Sequence, residues 1–393
     1  MAKLQLRPEA TLPGDAAAAA LAGRVWRPDV GGPSVVALRD GAMIDISAQY
    51  PTMRDLAETP DPARALRAAS GPEIGRLEAI LANTPPDTRD ATRPWLLAPC
   101  DLQAVKAAGV TFVVSLLERV IEEHARGDAS RAGDARAEIM AAIGGEVQGL
   151  KPGSEQAAAL KSLLVQKGLW SQYLEVGIGP DAEIFTKAQP MASVGTGADA
   201  GLHPASTWNN PEPEVVLTVA STGRIVGATL GNDVNLRDVE GRSALLLGKA
   251  KDNNASSAIG PFIRFFDDGF SLDDVRRAEV TMTVEGTDGF RMTGHSSLSK
   301  ISRDPADIAG QMIGPHHGYP DGAMLFLGTM FAPTDDRDAP GKGFTHRTGD
   351  IVTIATPKLG TLANRMKPCD ACERWDFGAG ALMRNLARRG LLS

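Results

Sequence analysis

Two glutamates, Glu212 and Glu214, are separated by a single proline in the densest group of polar residues in the sequence. Successive side chains of a β-strand point to opposite faces, so in an extended segment both carboxylates leave on the same face. Two adjacent negative charges raise each other's pKa unless a cation lies between them. The pair therefore indicates a cation site, and a solvated acidic edge strand is the alternative interpretation of a bare Glu-x-Glu pair.

A third carboxylate, Asp233, follows Glu214 by nineteen residues. The β-branched run Ile225–Leu230 leads to it, and the Ser-Thr-Gly sequence at 221–223 predicts a hairpin between the two strands. The strand that carries Asp233 should then return alongside the strand that carries Glu214. Three carboxylates that converge in this way form an oxygen-rich site suited to Mg²⁺, with Mn²⁺ or Ca²⁺ as alternatives, rather than to zinc.

Short strands and a few helices are the elements that must position these residues. The runs predicted as strands are Ile184–Thr186, Val215–Val219, Ile225–Leu230, Val280–Val284, Ala323–Leu327 and Ile351–Thr356. Apolar residues recur at helical spacing over 112–126, and further helices are predicted over 134–143 and 381–389. This pattern predicts an α+β protein whose C-terminal part is a mixed rolled sheet or barrel.

Composition along the chain predicts three parts. Residues 1–95 are expected to form a small β-rich N-terminal domain and a linker, residues 96–165 a helical connecting or lid segment, and residues 166–393 the catalytic domain. The predicted N-terminal strands are Gly23–Trp26, Val35–Leu38 and Met43–Ile46.

Charge, hydropathy and cysteine content argue against several classes of protein. A net charge of -7 argues against a nucleic-acid-binding protein, which needs a clustered basic face. No apolar run approaches the ~20 residues that cross a bilayer, so no membrane partner is expected. Three cysteines are too few for a disulfide framework, which favours a reducing compartment, and the cytoplasm is the expected location. Cys369 and Cys372 are interpreted as an incidental thiol pair, since no second pair of zinc ligands lies near them.

Several short motifs occur together in one order along the chain. They are Lys187 in a strand, Glu212-Pro213-Glu214, Gly231-Asn232-Asp233 followed by Arg237-Asp238, Gly248-Lys249, Gly260-Pro261, Gly328-Thr329 and Gly349-Asp350. This series resembles the fumarylacetoacetate hydrolase superfamily, and the resemblance covers roughly residues 106–367. It implies a β-rich catalytic domain of that fold, with a smaller N-terminal domain before it.

The resemblance implies metal ligands, flanking lysines and substrate contacts. The metal ligands are Glu212, Glu214 and Asp233, the lysines are Lys187 and Lys249, and the candidate substrate contacts are Thr329, Asp199, His203 and Asn253. Thr329 is expected to hold the substrate carboxylate, and a plain turn is the alternative role of Asn253. Arg237 and Asp238 are expected to form a structural ion pair that fixes the turn presenting Asp233.

The reaction class depends on the predicted helix over 112–126. Hydrolytic members of the superfamily carry a His-x-x-Glu pair that activates water, and the equivalent residues here are Ser115 and Glu118. A serine cannot take a proton from water at neutral pH without a base of its own. The sequence resembles the 2-keto-3-deoxy-pentonate (arabinonate or xylonate) dehydratase branch, whose members yield 2,5-dioxopentanoate in non-phosphorylative pentose catabolism. Glu118 is then the expected base, and Ser115 or a metal-held water is the candidate acid.

Other functions are open at this point. The expected ligand is a small 2-oxo sugar acid, and the resemblance implies a homodimer or homotetramer. A metal-dependent hydrolase of acylpyruvates or diketo acids is the alternative on the same fold, and a noncatalytic sugar-acid-binding protein is a third hypothesis. For Glu118 the alternative is a solvated run of charges along its helix, and Lys187 is then the next candidate base.

Overall fold

The computed structural model describes residues 4–143, 147, 149–329, 331, 333, 335–338 and 343–392. The strands are β1 (Leu21–Arg27), β2 (Gly32–Arg39), β3 (Ala42–Asp45), β4 (Glu73–Arg76), β5 (Trp95–Leu97), β6 (Ala104–Ala108), β7 (Ile184–Ala188), β8 (Asp199–Leu202), β9 (Asn209–Asn210), β10 (Pro213–Val219), β11 (Ile225–Asp233), β12 (Asn235–Leu236), β13 (Ser257–Phe265), β14 (Glu279–Glu285), β15 (Arg291–Ser297), β16 (Ala323–Phe326), β17 (Ile351–Thr356) and β18 (Gly360–Pro368). The helices are α1 (Pro8–Thr11), α2 (Met53–Ala57), α3 (Pro62–Ala68), α4 (Leu77–Ala82), α5 (Val113–His124), α6 (Ala132–Ile143), α7 (Glu155–Gln166), α8 (Gln172–Ile178), α9 (Arg237–Glu240), α10 (Leu247–Lys251), α11 (Leu272–Arg276), α12 (Pro305–Met312) and α13 (Ala379–Arg388).

Most of these strands lie in two open sheets. In the large sheet the order is β4-β3-β2-β1-β13-β11-β10-β16-β6-β7, with β5 paired to β1, and in the smaller sheet it is β15-β14-β17-β18-β8. β16 pairs with β6 in parallel, as β18 does with β8, whereas β10, β11 and β13 are antiparallel neighbours. Neither strand order in the described residues closes on itself. The α+β prediction with a mixed sheet is confirmed, and the barrel alternative is wrong.

The N-terminal strands extend the large sheet. β1 pairs with β13, so β2, β3 and β4 continue the catalytic sheet at one edge. The segment 96–165, expected to be helical, also contributes β6 to the interior of that sheet, between β16 and β7. The division into three parts at residues 95 and 165 stays a prediction about independent folding.

The core lies on both faces of the large sheet, and β10 shows how. Val215 and Leu217 point towards the smaller sheet, where they join a cluster that contains Ile354. Val216 points to the opposite face and joins a cluster with Leu56 of α2. This alternation is the period-two pattern of a strand that is buried on both faces.

The hairpin that carries the candidate ligands is formed as predicted. β10 and β11 are antiparallel, Glu214 is opposite Gly231, and the Asp233 backbone N–H donates to the Glu212 carbonyl at 3.0 Å. The carboxylates of the Glu-x-Glu pair and Asp233 are therefore brought together by local pairing of two neighbouring strands.

A helical layer covers one end of the hairpin. α5 begins at Val113 and ends at His124, close to the predicted limits, and its apolar side packs with Leu174 and Ile178 of α8. Glu118, Arg119 and Glu122 are buried on the same helix. None of the helices in the described part of the chain combines the length and the apolar character that a membrane crossing requires.

Candidate functional site

Glu212, Glu214 and Asp233 form a buried carboxylate cluster. Each side chain offers an oxygen within 4.8 Å of the others, and their residues are only 1–2% exposed. Burial and repulsion from Asp233 and Glu212 raise the pKa of Glu214 well above its usual value. A divalent cation bound by these oxygens would relieve that repulsion, so the donor set fits Mg²⁺ or a similar hard ion. The predicted convergence of three carboxylates is confirmed.

The loop after β16 orients Glu214. The Gly328 backbone N–H donates to the Glu214 Oε2 atom at 2.6 Å. Gly328 has a φ of +92°, and a Cβ atom built there would lie 2.1 Å from the Thr111 hydroxyl. This position needs glycine for both conformation and space, so the Gly328-Thr329 motif contributes a backbone donor to a candidate ligand.

Of the two lysines of α10, Lys251 rather than Lys249 lies at the carboxylates. The Lys251 ammonium lies 2.5 Å from Glu212 Oε2 and 3.1 Å from Asp233 Oδ2. Lys249 is exposed, and because residues two apart on a helix differ by about 200° in direction, only one of the two lysines of α10 can face inward. The assignment of Lys249 to the site is therefore corrected to Lys251. Although burial alone lowers it, the Asp233 and Glu212 carboxylates raise the pKa of Lys251 above its usual value.

Lys187 is fully buried beneath the same cluster. Its ammonium lies 3.0 Å from Asp233 Oδ1 and donates to the Val234 carbonyl and the Ser256 hydroxyl, both at 3.2 Å. Burial lowers the pKa of Lys187, and Asp233 opposes that shift. Burial alone would raise the pKa of Asp233. The ammonium groups of Lys187 and Lys251 outweigh this effect and hold the pKa below its usual value. Lys187 thus keeps one ligand ionised.

A small cavity adjoins the carboxylate cluster. Its polar lining comes from Ser115, Arg119, Glu183, Glu212, Glu214, Asp233, Glu240, Lys251 and Thr329. Its free volume is about 20 Å³, roughly the room of one water molecule. A larger ligand therefore requires the lining side chains or α5 to move outwards.

Glu183 is an unpaired carboxylate in this cavity. Among the described residues, no side chain forms a hydrogen bond or ion pair with it. It lies against Gly109, where a Cβ atom would come within 1.8 Å of Glu183 Oε2. Burial and repulsion from Glu240 raise the pKa of Glu183 to about 7. A carboxyl group with this pKa can both accept and return a proton near neutral pH.

Arg119 connects the cavity to the helical layer. Its guanidinium contacts Glu212 and Glu122 and lies 3.4 Å from Glu240 Oε1. The second oxygen of Glu240 is buried without a hydrogen-bond partner, and burial raises the pKa of Glu240. Arg119, a single residue of α5, therefore holds both the candidate metal ligand Glu212 and the carboxylate of Glu240 in place.

Glu118, the predicted base, is not among the residues that line the cavity. Its carboxylate contacts Arg136 and accepts a hydrogen bond from Arg237 at 3.1 Å. Two arginines hold it in the helical layer, so the structure does not place Glu118 where the expected base should lie. The predicted Arg237–Asp238 ion pair is also wrong. Arg237 pairs with Glu118 and Glu122, and Asp238 accepts hydrogen bonds from Ser206 and Thr207.

The remaining predicted residues divide between the cavity and other places. Ser115 and Thr329 line the cavity, and the Ser115 hydroxyl donates to the Phe112 carbonyl at 2.9 Å. The three predicted substrate contacts outside it have other partners. The Asp199 carboxylate is paired with Arg365 and Lys367, the His203 ring accepts from the Ala205 N–H, and the Asn253 amide donates to the Lys249 and Ala250 carbonyls. Asn253 has the turn-forming role that was its alternative.

Four charged cavity residues were missed at the sequence level: Arg119, Glu183, Glu240 and Lys251. One signal was available for Glu183, because it precedes Phe185 and Lys187 at period two, the spacing that identified Glu212 and Glu214. Arg119 and Glu240 lie in charged helical segments that also suit a solvated face, so no local pattern marks them.

Comparisons with known proteins agree with this fold. No protein-family model matches the chain. A probable 2-keto-3-deoxyxylonate dehydratase of Haloferax volcanii is 31% identical over 192 residues, which cover 49% of this chain and 62% of that protein. The 2-dehydro-3-deoxy-D-arabinonate dehydratase of Saccharolobus solfataricus is 30% identical over 188 residues, which cover 47% of this chain and 58% of that protein. The match thus spans less than two thirds of either relative.

Solved structures match over more of the chain. The apo form of 2-keto-3-deoxy-D-arabinonate dehydratase has a TM-score of 0.62 at 20% identity, and the match covers 88% of this chain and 99% of that one. The same enzyme with magnesium and 2,5-dioxopentanoate gives 0.61 at 21% identity, with the same coverage. A 5-carboxymethyl-2-hydroxymuconate delta-isomerase from Mycobacterium smegmatis gives 0.52 at 18% identity over 88% of this chain and 98% of that one.

At these identities the structural matches establish the fold, and the sequence matches establish kinship with the dehydratases. The resemblance inferred from the ordered motifs is confirmed: this chain has the fumarylacetoacetate hydrolase-like fold and is similar in sequence to two 2-keto-3-deoxy-pentonate dehydratases.

Proposed function

We propose that this protein is a divalent-metal-dependent dehydratase that converts a 2-keto-3-deoxy-pentonate into 2,5-dioxopentanoate. The observation that carries the proposal is the combination of a buried carboxylate triad with Lys251 and the unpaired Glu183 in one cavity. A relative of the same fold has been solved with magnesium and 2,5-dioxopentanoate, which supports both the metal and the product.

Glu212, Glu214 and Asp233 would hold the ion, which we propose to be Mg²⁺. A divalent ion bound there would polarise the ketone of a 2-oxo acid and would stabilise negative charge on its oxygen. The two buried lysines add further positive charge to this site. Lys251 faces the cavity, and Lys187 lies on the other side of Asp233, so both place positive charge close to the reacting carbonyl.

Glu183 is the proposed acid–base residue. As a carboxylate it removes a proton from C3, which the neighbouring ketone makes acidic. As the protonated acid it then delivers that proton to the C4 hydroxyl, which leaves as water. The residue ends in its starting state, and a pKa of about 7 suits both steps at neutral pH.

Loss of one water does not by itself give the proposed product. Elimination across C3 and C4 leaves a C5 alcohol beside the new double bond. One hydrogen from C5 and one from its hydroxyl must then move to C4 and C3, which converts C5 into an aldehyde. The atoms balance as substrate minus one water, with no oxidant or reductant.

Hydrolysis of acylpyruvates requires a group that activates water. The Ser115 hydroxyl donates to a backbone carbonyl, and Glu118 is held by two arginines, so these two residues do not form the water-activating pair of the hydrolytic members. This arrangement favours dehydration over the hydrolase alternative.

Turnover of 2-keto-3-deoxy-pentonates beside acetylpyruvate tests the proposal, with Mg²⁺ and with excess EDTA. We expect Mg²⁺-dependent formation of 2,5-dioxopentanoate, followed with a semialdehyde dehydrogenase. Faster cleavage of acetylpyruvate, or equal dehydration in EDTA, would contradict it.

The assembly and location are also proposals. We expect a homodimer or homotetramer, as C2-based assemblies are the commonest, and a cytoplasmic location. Light scattering that gives 41.3 kDa, the mass of one chain, would contradict the first. Activity confined to a membrane or secreted fraction would contradict the second.

A further inference from the structure

We propose that Glu240 recognises the distal hydroxyl end of the substrate and excludes 2-oxo acids that carry a second carboxylate. This inference rests on the proposed function, because it assumes that a 2-oxo acid head group binds at Glu212, Glu214 and Asp233.

Glu240 has a buried oxygen without a partner. The residue is 4% exposed, it lines the cavity, and its Oε2 atom has no hydrogen-bond partner. A buried polar atom left unpaired costs about 1–3 kcal/mol, and more for a charged group. Buried polar groups are nearly always hydrogen-bonded, so an unpaired oxygen that lines a cavity is a candidate for pairing with a ligand. A hydroxyl group is a donor that would complete it.

The position of Glu240 suits the far end of a five-carbon acid. The Arg119 guanidinium contacts the ligand candidate Glu212 and lies 3.4 Å from Glu240 Oε1, and Glu240 lines the same small cavity as the carboxylate cluster. C2 and C5 of an extended chain are roughly 3.8 Å apart, the span of three bonds in trans. A substrate with its 2-oxo acid head at the cluster can therefore present its C5 hydroxyl to Glu240.

The same carboxylate suits the second half of the proposed conversion, in which the C5 hydroxyl loses its proton. The Glu240 carboxylate also limits which 2-oxo acids can bind. A neutral hydroxyl can donate to Glu240, whereas a carboxylate at C5 would meet a like charge in a buried place. The structure thus points to hydroxyl-ended acids and against dicarboxylates.

Equilibrium binding tests this selectivity without turnover. The probes are pyruvate, 5-hydroxy-2-oxopentanoate and 2-oxoglutarate, none of which has the C4 hydroxyl that dehydration requires. Calorimetry with Mg²⁺ is done on the alkaline side of neutral pH, because burial raises the pKa of Glu240 and the expected repulsion requires its ionised form. We expect the wild type to bind the hydroxyl-ended acid at least ~10-fold more tightly than 2-oxoglutarate, the scale of one hydrogen bond to a charged group.

Two variants and a control separate the outcomes. Glu240→Gln should bind 2-oxoglutarate ~10-fold more tightly than the wild type and leave pyruvate affinity within about twofold, because a neutral amide removes the repulsion. Glu240→Asp should keep the exclusion. Glu123→Gln is the control, since Glu123 lies on α5 outside the cavity and accepts from Ser171 and Gln172. This control should leave the wild-type preference unchanged.

The pyruvate result distinguishes the two proposals. If pyruvate binds the wild type with Mg²⁺ but Glu240→Gln leaves the preference for the hydroxyl-ended acid unchanged, the role of Glu240 is wrong and the proposed function stands. Failure of pyruvate to bind a folded, Mg²⁺-loaded wild type would overturn both.

Discussion

Two groups of buried carboxylates lie on either side of the Arg119 guanidinium. On the helical side, Glu118 and Glu122 are held by Arg136, Arg237 and Arg119 itself. On the cavity side, Glu183 has no partner among the described residues, and Glu240 has one oxygen unpaired.

The difference shows how burial alone fails to identify a functional residue. A buried acid whose oxygens are all paired stabilises a local arrangement, and little chemistry is left to it. A buried acid with free oxygens and a raised pKa is costly to fold, so it is more readily explained by catalysis or binding. By this criterion the cavity carboxylates are the ones we propose as functional, and the helical ones stabilise the fold.

The largest expected effect is the loss of the triad. Glu214→Ala should abolish Mg²⁺ binding and turnover, because it removes a proposed ligand, while the fold should persist, because the change also removes a repelling charge. Calorimetric Mg²⁺ titration and circular dichroism check the two parts. Undiminished turnover by this variant in EDTA would show that the triad is not the metal site.

The two lysines of α10 give a matched pair. Lys251→Met should lower kcat by ~10²- to 10³-fold, the scale of losing one preorganised donor at a developing charge. Lys249→Met should stay within about twofold of the wild type, because Lys249 is exposed. Steady-state kinetics on both variants decides, and the opposite ranking would restore the original motif assignment.

Glu183→Gln sharpens the comparison on the cavity side. We expect a loss of ~10²- to 10⁴-fold in kcat, together with loss of deuterium exchange at C3, because both begin with the same proton abstraction. Exchange followed by NMR is the measurement. Wild-type exchange in this variant would move the base to Lys251 or Lys187.

The pKa of Glu183 also predicts a pH dependence of stability. It is raised from 4.5 to about 7 in the folded protein, so the folded state binds a proton more tightly than the unfolded state. The stability that this contributes is full below pH 4.5 and is lost as the pH rises through about 7. The Tm of metal-free wild type should therefore fall relative to Glu183→Gln over this window, and parallel Tm curves would contradict the shift.

The smallest effect on turnover is expected on the helical side. Glu118→Gln should keep C3 exchange within about threefold of the wild type, since Glu118 does not line the cavity. It should lower the free energy of unfolding by about 1–3 kcal/mol, because Arg237 and Arg136 lose a charged acceptor. Urea unfolding measures this loss. Abolished exchange in a stable variant would return Glu118 to the catalytic machinery.

The sequence by itself determined the hairpin and its carboxylates. The period-two spacing of Glu212 and Glu214, a short turn and a second β-branched run are local features, and pairing between neighbouring strands follows from them. The limits of α5 also follow from local periodicity. The ordered motifs pointed to the fold that the solved structures share and to the dehydratases that the chain resembles in sequence.

Only the tertiary structure decided which charged residues face the cavity. Lys249 and Lys251 are equally suitable in the sequence, and the packing of α10 alone turns Lys251 inward. Glu183, Arg119 and Glu240 come from three separate segments and meet only when α5 and α9 pack beside β7. A charged residue on a helix fits both a solvated face and a buried ion pair, and local spacing does not distinguish the two. Long-range packing decided that arginines hold Glu118 and that Glu183 stays unpaired.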